Sequence, residues 1–170
     1  MAELTKKERL QPSLLDRITD DEPDAHLESR DKRVLSPARL RECVRRDLTW
    51  LFNTTSLSSI EALGGLPDVL RSVLNYGMPD LSGKTASSID VRSLEQLLLR
   101  VIWDFEPRLI KKSVKVTIVV DERMMNHNAM VFDIEAELWA QPLPLRLFFR
   151  TEIDLENGGV AVSDLDGQRR

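Results

Sequence analysis

The chain has 170 residues, a formal net charge of -4 and 42% hydrophobic side chains. That length holds one ordinary domain with a real core rather than two, and the acidic balance excludes the general phosphate affinity that nucleic-acid binding requires. A lone Cys43 excludes an internal disulfide, and no apolar run approaches the roughly 20 residues of a membrane span, so the expectation is a cytoplasmic protein with no direct membrane insertion.

Residues 1–35 mix acidic and basic side chains with Pro12 and Pro23 and lack the apolar core of a signal peptide. They bury too little apolar area to offset their chain entropy, which predicts a flexible N-terminal tail. Within it, Ser13-Leu14-Leu15-Asp16-Arg17-Ile18 has the pattern of a short amphipathic element able to dock on a partner or on its own domain. The ordered domain is expected over 36–165, from Ser36-Pro37, an N-cap followed by a residue whose φ is already helical. A helix over 37–53 carries Leu40, Val44, Leu48 and Leu51 on one stripe, flanked by Cys43, Asp47 and Trp50. A short helix is expected over 67–75, begun by Pro67 and closed by Asn75-Tyr76-Gly77, where Gly77 is free to turn left-handed. Pro79, Asp80, Ser82 and Gly83 then mark a turn-rich connection.

A long helix over 88–105, capped by Ser87 or Ser88 with Asp90 in its first turn, places Leu94, Leu97, Leu98, Val101, Ile102 and Phe105 on one face. It runs into Glu106-Pro107-Arg108-Leu109, where Pro107 removes an N–H and biases Glu106 away from helical angles. Beyond this junction the apolar period changes from about 3.6 to 2. Val114, Val116, Ile118 and Val120 alternate first, then Met130, Phe132, Ile134, Ala136 and Leu138 opposite Asp133, Glu135 and Glu137. Leu145, Leu147, Phe149 and Ile153 follow opposite Arg146, Arg150, Glu152 and Asp154. Pro142 and Pro144 confine the intervening link to a loop or edge, and Asn157-Gly158-Gly159 invites a hairpin into Val160-Ala161-Val162. Strands are therefore predicted at 113–121, 129–140, 145–155 and 160–163, with a tail at 166–170. The class is α+β, with N-terminal helices followed by an antiparallel or mixed sheet of three to four strands packed on the long helix.

No credible catalytic set emerges. Cys43 lies on a core stripe, which makes it a small buried hydrophobe rather than a nucleophile. His127 sits in a polar loop over 121–128 without a carboxylate to orient it, and His26 is in the tail. One thiol and two distant histidines make no metal set, and no cofactor is expected. Ala62-Leu63-Gly64-Gly65 lacks the lysine of a phosphate loop and reads as a turn. Arg39, Arg41, Arg45 and Arg46 are interleaved with Glu42 and Asp47, the pattern of a solvated helix face. Glu135 and Glu137, two apart on one strand, have the spacing of a glycosidase pair but share a wet face with Asp133.

Three stretches carry a family resemblance in order: Trp50-Leu51-Phe52-Asn53-Thr54, then Ser72 through Gly83, then Phe105-Glu106-Pro107-Arg108-Leu109. Together they resemble the type VI secretion baseplate subunit family TssE, itself similar to a phage baseplate wedge protein once labelled lysozyme-like. The resemblance implies a structural, non-enzymatic wedge component at the cytoplasmic face of the inner membrane. Such a component contacts TssF and TssG and starts polymerisation of the TssB and TssC sheath by strand exchange. An open sheet edge is physically suited to that task. The family motif falls on Glu106, Pro107 and Arg108, which are expected to bind a partner, with Arg108 presenting its planar fork. On that expectation Arg108→Ala leaves the domain folded but weakens assembly. The alternatives are a lysozyme-like peptidoglycan hydrolase and a stand-alone peptide-binding module.

Overall fold

The structure, a computed structural model, describes residues 13–19, 36–85, 88–119, 128–139 and 144–165. The expectations placed on residues 1–12, 20–35 and 166–170, on Ser87, Val120 and Pro142, and on His26 and His127 lie outside the described residues.

Leu14–Ile18 forms a one-turn helix, α1, whose N-cap Ser13 accepts the Asp16 N–H. This is the docked alternative for that segment, because Asp16 reaches the next helix. That helix, α2, spans Pro37–Phe52 and begins as expected, with Ser36 Oγ accepting the Arg39 N–H at 3.1 Å and Pro37 in the first turn. Such a cap contributes about 1 kcal/mol. Its stripe of Leu40, Cys43, Val44, Leu48, Leu51 and Phe52 is buried.

The helix expected over 67–75 is broken in two. α3 covers only Pro67–Leu70, and a separate turn of 3-10 helix covers Val73–Asn75. Ser72 causes the break, since its backbone is extended and its hydroxyl accepts the Leu74 N–H, offering the chain a local bond in place of the helical one. Gly77 then takes φ +123°, and a Cβ there would stand 2.3 Å from the Thr54 carbonyl oxygen. The close approach lets Met78 N–H donate to Thr54 O and Ser56 N–H to Met78 O, both at 2.9 Å, which ties this loop to the end of α2.

α4 spans Val91–Phe105. Its cap is Asp90, which accepts the Arg92 N–H, rather than Ser88, whose hydroxyl donates to Thr85 O. After the junction a 3-10 turn at Lys111–Ser113 delays the first strand. β1 is Lys115–Val119, β2 Ala129–Leu138, β3 Leu145–Asp154 and β4 Val160–Asp164. They form one antiparallel meander in the order β1-β2-β3-β4. The protein is α+β, and both α2 and α4 share the apolar face of the sheet, α2 against β4 and α4 against β1. Leu98 and Ile102 of α4 join Phe132, Ile134, Leu147, Phe149 and Ile153 in one core, where Phe52 meets Phe132 edge to face at 5.6 Å.

Candidate functional site at the helix-to-strand junction

Pro107 ends α4 as its chemistry requires, and Glu106 is the C-cap, with its N–H still bonded to Ile102 O at 2.9 Å. The chain then turns alongside the end of β2. Trp139 N–H donates to Arg108 O and Ile110 N–H to Glu137 O, so the junction is stitched to the sheet before β1 begins.

Glu106 is only 4% exposed, and its carboxylate faces Arg108. Arg108 Nε donates to Glu106 Oε1 at 2.7 Å and Nη2 to Oε2 at 2.5 Å, the bidentate geometry that suits a guanidinium. The same Nη2 reaches Asp47 Oδ2 on α2 at 2.6 Å. Asp47 uses its other oxygen, Oδ1, to accept from Arg46 Nε and Nη2 at 2.9 and 2.7 Å, and Arg46 Nη1 extends to Asp16 Oδ1 on α1 at 2.6 Å. Charges therefore alternate along a chain of five side chains, Asp16, Arg46, Asp47, Arg108 and Glu106. Tyr76 packs edge-on against Phe105 with ring centres 5.4 Å apart.

Burial alone would pull the Arg108 pKa down, but the hydrogen bonds and charge of Glu106, then of Asp47, hold it above the ordinary arginine value. Burial would likewise raise Asp16, yet the hydrogen bonds from Arg46 and Ser13 hold it down to about 2. Tyr76 is pushed up by burial and by the negative charges of Asp47 and Glu106.

The motif stretches meet in space, since Thr54 of the first bonds Met78 of the second and Tyr76 of the second packs on Phe105 of the third, while Asp47, on α2 just before the first stretch, joins Arg108. The Arg108 fork, expected to face a partner, is engaged inside the chain. Its Nη1 is buried and has no hydrogen-bond partner among the described residues, while Pro107 between the two charged residues is exposed. Nothing in the sequence pointed to Asp47 or Asp16 as members of the cluster, and Arg46 was assigned to a solvated face. Instead Arg46 is held by two carboxylates and lies over the Trp50 ring at 4.9 Å. Arg45 reaches across to Val162 O at 3.0 Å.

Elsewhere the chemistry is plain. Glu137 pairs with Arg146 at 3.8 Å, and Glu135 stands opposite Lys115, so both carboxylates have cationic neighbours rather than the apolar pocket a general acid needs. Cys43 is buried, and its thiol is pushed up by burial and by Asp16. Among the described residues no group of His, Cys, Asp or Glu is placed to hold a metal ion, and no helix is long and apolar enough to cross a membrane.

The two sheet edges differ. On β4, Val160 N–H donates to Asn53 Oδ1 at 3.0 Å, Val160 O accepts from Asn53 Nδ2 at 2.7 Å, and Val162 O accepts from Arg45. On β1, Ile118 N–H donates to Glu95 Oε1 of α4 at 2.9 Å. Val116, two residues earlier, turns its N–H and carbonyl to the same outer side, where no described residue bonds them.

Carboxylates fully engaged by guanidiniums, beside a sheet whose two edges are unequally covered, form a site that holds elements together. A family model described as baseplate wedge protein gp25 matches residues 38–143, more than half of the chain, and the protein belongs to that family. The matched span includes Asp47, Glu106 and Arg108 and stops short of α1. Family membership gives the protein a structural role in a baseplate, among protein partners. No curated protein and no solved structure matches the chain.

Proposed function

We propose that this protein is the wedge subunit of a type VI secretion baseplate, joining TssF and TssG to the contractile sheath and starting TssB and TssC assembly by strand addition at β1. It does so without catalysis, at the cytoplasmic face of the inner membrane. The observation that carries this reading is the inequality of the two sheet edges. Arg45 of α2 and Asn53 at its C-cap occupy three outward backbone groups of β4, whereas β1 offers Val116 and needs Glu95 to release Ile118. Added strands bind through such main-chain groups and take their register from alternate side chains. In the same reading, exposed Pro107 touches a wedge partner while Glu106 and Arg108 fix its shape, and Arg108 Nη1 is a donor that a partner carbonyl can take after a small shift.

The test is Val116→Pro, which removes one outward N–H and leaves the pairing with β2 intact. The variant is expected to bind wedge subunits as the wild type does and to fail in nucleating sheath. Normal nucleation by a folded Val116→Pro protein sinks strand addition at this edge.

A further inference from the structure

Between α4 and the lobe that carries α3 lies a groove of about 690 Å³, with Leu70, Leu97, Val101 and Phe105 in its lining. One wall is a stripe of α4, since Ser93, Gln96, Leu97, Arg100, Val101 and Asp104 follow at three-and-four spacing over about three turns, roughly 16 Å. The other wall has its shape set by internal bonds. Asn75, 8% exposed, accepts the Ser58 N–H at 2.8 Å and donates to Leu70 O at 2.9 Å. Trp103, at the same end of α4 as Asp104, is fixed by its indole N–H, which donates to Lys111 O at 2.9 Å. Leu70 and Trp103 are nevertheless 36% and 37% exposed. A preformed groove with apolar side chains open to water marks a contact site.

The chemistry of the occupant follows from charge. Arg41, Arg45, Arg46, Arg108, Arg146 and Arg150 each meet a carboxylate. Arg71 and Arg100 line the groove from opposite walls, and neither forms an ion pair among the described residues. The third charged residue of the lining, Asp104, follows Arg100 by one turn without pairing with it, while Glu61 and Asp68 of the lobe lie outside the lining. The groove thus offers two guanidiniums without an internal carboxylate beside an apolar floor, and one carboxylate at its end. We infer that it receives an amphipathic α-helix of a neighbouring wedge subunit, whose apolar residues pack along the α4 stripe and whose carboxylates meet Arg71 and Arg100. This rests on the wedge reading above. Helices dock in such grooves through anchors three and four apart, and a guanidinium fork takes a carboxylate with two hydrogen bonds. Asp104 sets the direction of the helix, because a like charge opposite it is repelled.

The experiment compares the full chain with an Arg71→Glu, Arg100→Glu double variant and an Arg71→Lys, Arg100→Lys double variant in binding to co-expressed TssF and TssG, with sedimentation of each protein alone. Both arginines are exposed, so each variant should keep its thermal midpoint. The glutamate variant should bind the wedge subunits at least about ten-fold more weakly, and the lysine variant, which keeps the charge, should lose less. A photoreactive residue in place of Leu70 should crosslink to a segment of a wedge subunit that carries carboxylates beside apolar residues three or four apart. Equal affinity of the glutamate variant and the wild type overturns the proposal and leaves the wedge reading standing. An equal loss in the lysine variant, or a crosslinked segment without carboxylates, overturns the acidic helix. A wild-type dimer that the glutamate variant dissociates assigns the groove to self-association and overturns it too. Failure of the wild type to bind the wedge subunits at all sinks the wedge reading, and this proposal with it.

Discussion

Asp47 and Arg108 are 61 positions apart in the sequence and 2.6 Å apart in space. One belongs to α2 and the other follows α4, so their contact closes the two long helices on each other where the chain enters the sheet. Arg108 also neutralises Glu106, which has almost no access to water.

Removing the Arg108 side chain therefore strands a buried carboxylate, and breaking one side of a buried pair is strongly destabilising. Arg108→Ala is expected to lower unfolding stability by about 3 kcal/mol, seen as a lower denaturant midpoint at unchanged slope. Glu106→Gln with Arg108→Met should recover a large part of the loss, because neither partner is then left charged. A loss below about 1 kcal/mol would place the pair among screened surface bridges. The sequence-based expectation is that Arg108→Ala leaves the domain folded and weakens assembly; because Glu106 and Asp47 engage its fork, an assembly defect in that variant must be corrected for stability.

Asp16 gives a pH signature. Its folded pKa near 2 lies below the ordinary 3.8, so the seating of α1 is at full strength above about pH 4 and fades as the pH falls through the folded value. Carboxyl NMR should show that midpoint in the wild type. In Arg46→Ala it should climb, because the hydrogen bond and charge that lower it are gone while any remaining burial acts upward. An unmoved midpoint would mean that Arg46 does not hold α1.

Glu95 guards the β1 edge. Glu95→Ala should cost about 1 kcal/mol, the usual worth of one hydrogen bond, and speed amide exchange at Ile118 by several-fold while leaving Thr117 protected. It should also raise self-association, as unpaired strand edges do. Unchanged exchange at Ile118 would show that the carboxylate does not cover this group.

Gly77→Ala tests the loop that brings Tyr76 to the junction. The left-handed φ of +123° and the 2.3 Å approach to Thr54 O leave no room for a methyl group. A loss of about 2 to 4 kcal/mol is expected, measured by thermal or denaturant unfolding. A neutral substitution would mean that the loop relaxes away from Thr54.

The periodic elements were legible. The stripe from Leu94 to Phe105, the alternation in β2 and β3, the Ser36-Pro37 start and the stop at Pro107 all follow from short-range spacing, which a sequence displays directly. The break at Ser72 was not, because a hydroxyl that bonds the backbone two residues on competes with a helix that the apolar spacing equally allows. At the site, Glu106, Pro107 and Arg108 stood out through their motif. Asp47 did not, because an ion pair between distant segments has no period, and a carboxylate on a helix flank looks the same whether it meets water or an arginine. Asp16 was hidden for the same reason, in a segment whose composition argued for a tail. The unequal edges were beyond reach as well, since Asn53 at the end of a helix reads as a simple cap until its amide is found on Val160.

That use of Asn53 and Arg45 makes the sheet directional. Asn53 and Arg45 occupy three outward backbone groups of β4, while on β1 Glu95 occupies Ile118 and no described residue bonds Val116, so the two flanks of the sheet are not equivalent. On the proposed strand-addition reading, a polymer begun here would take its polarity from which side chains reach which strand.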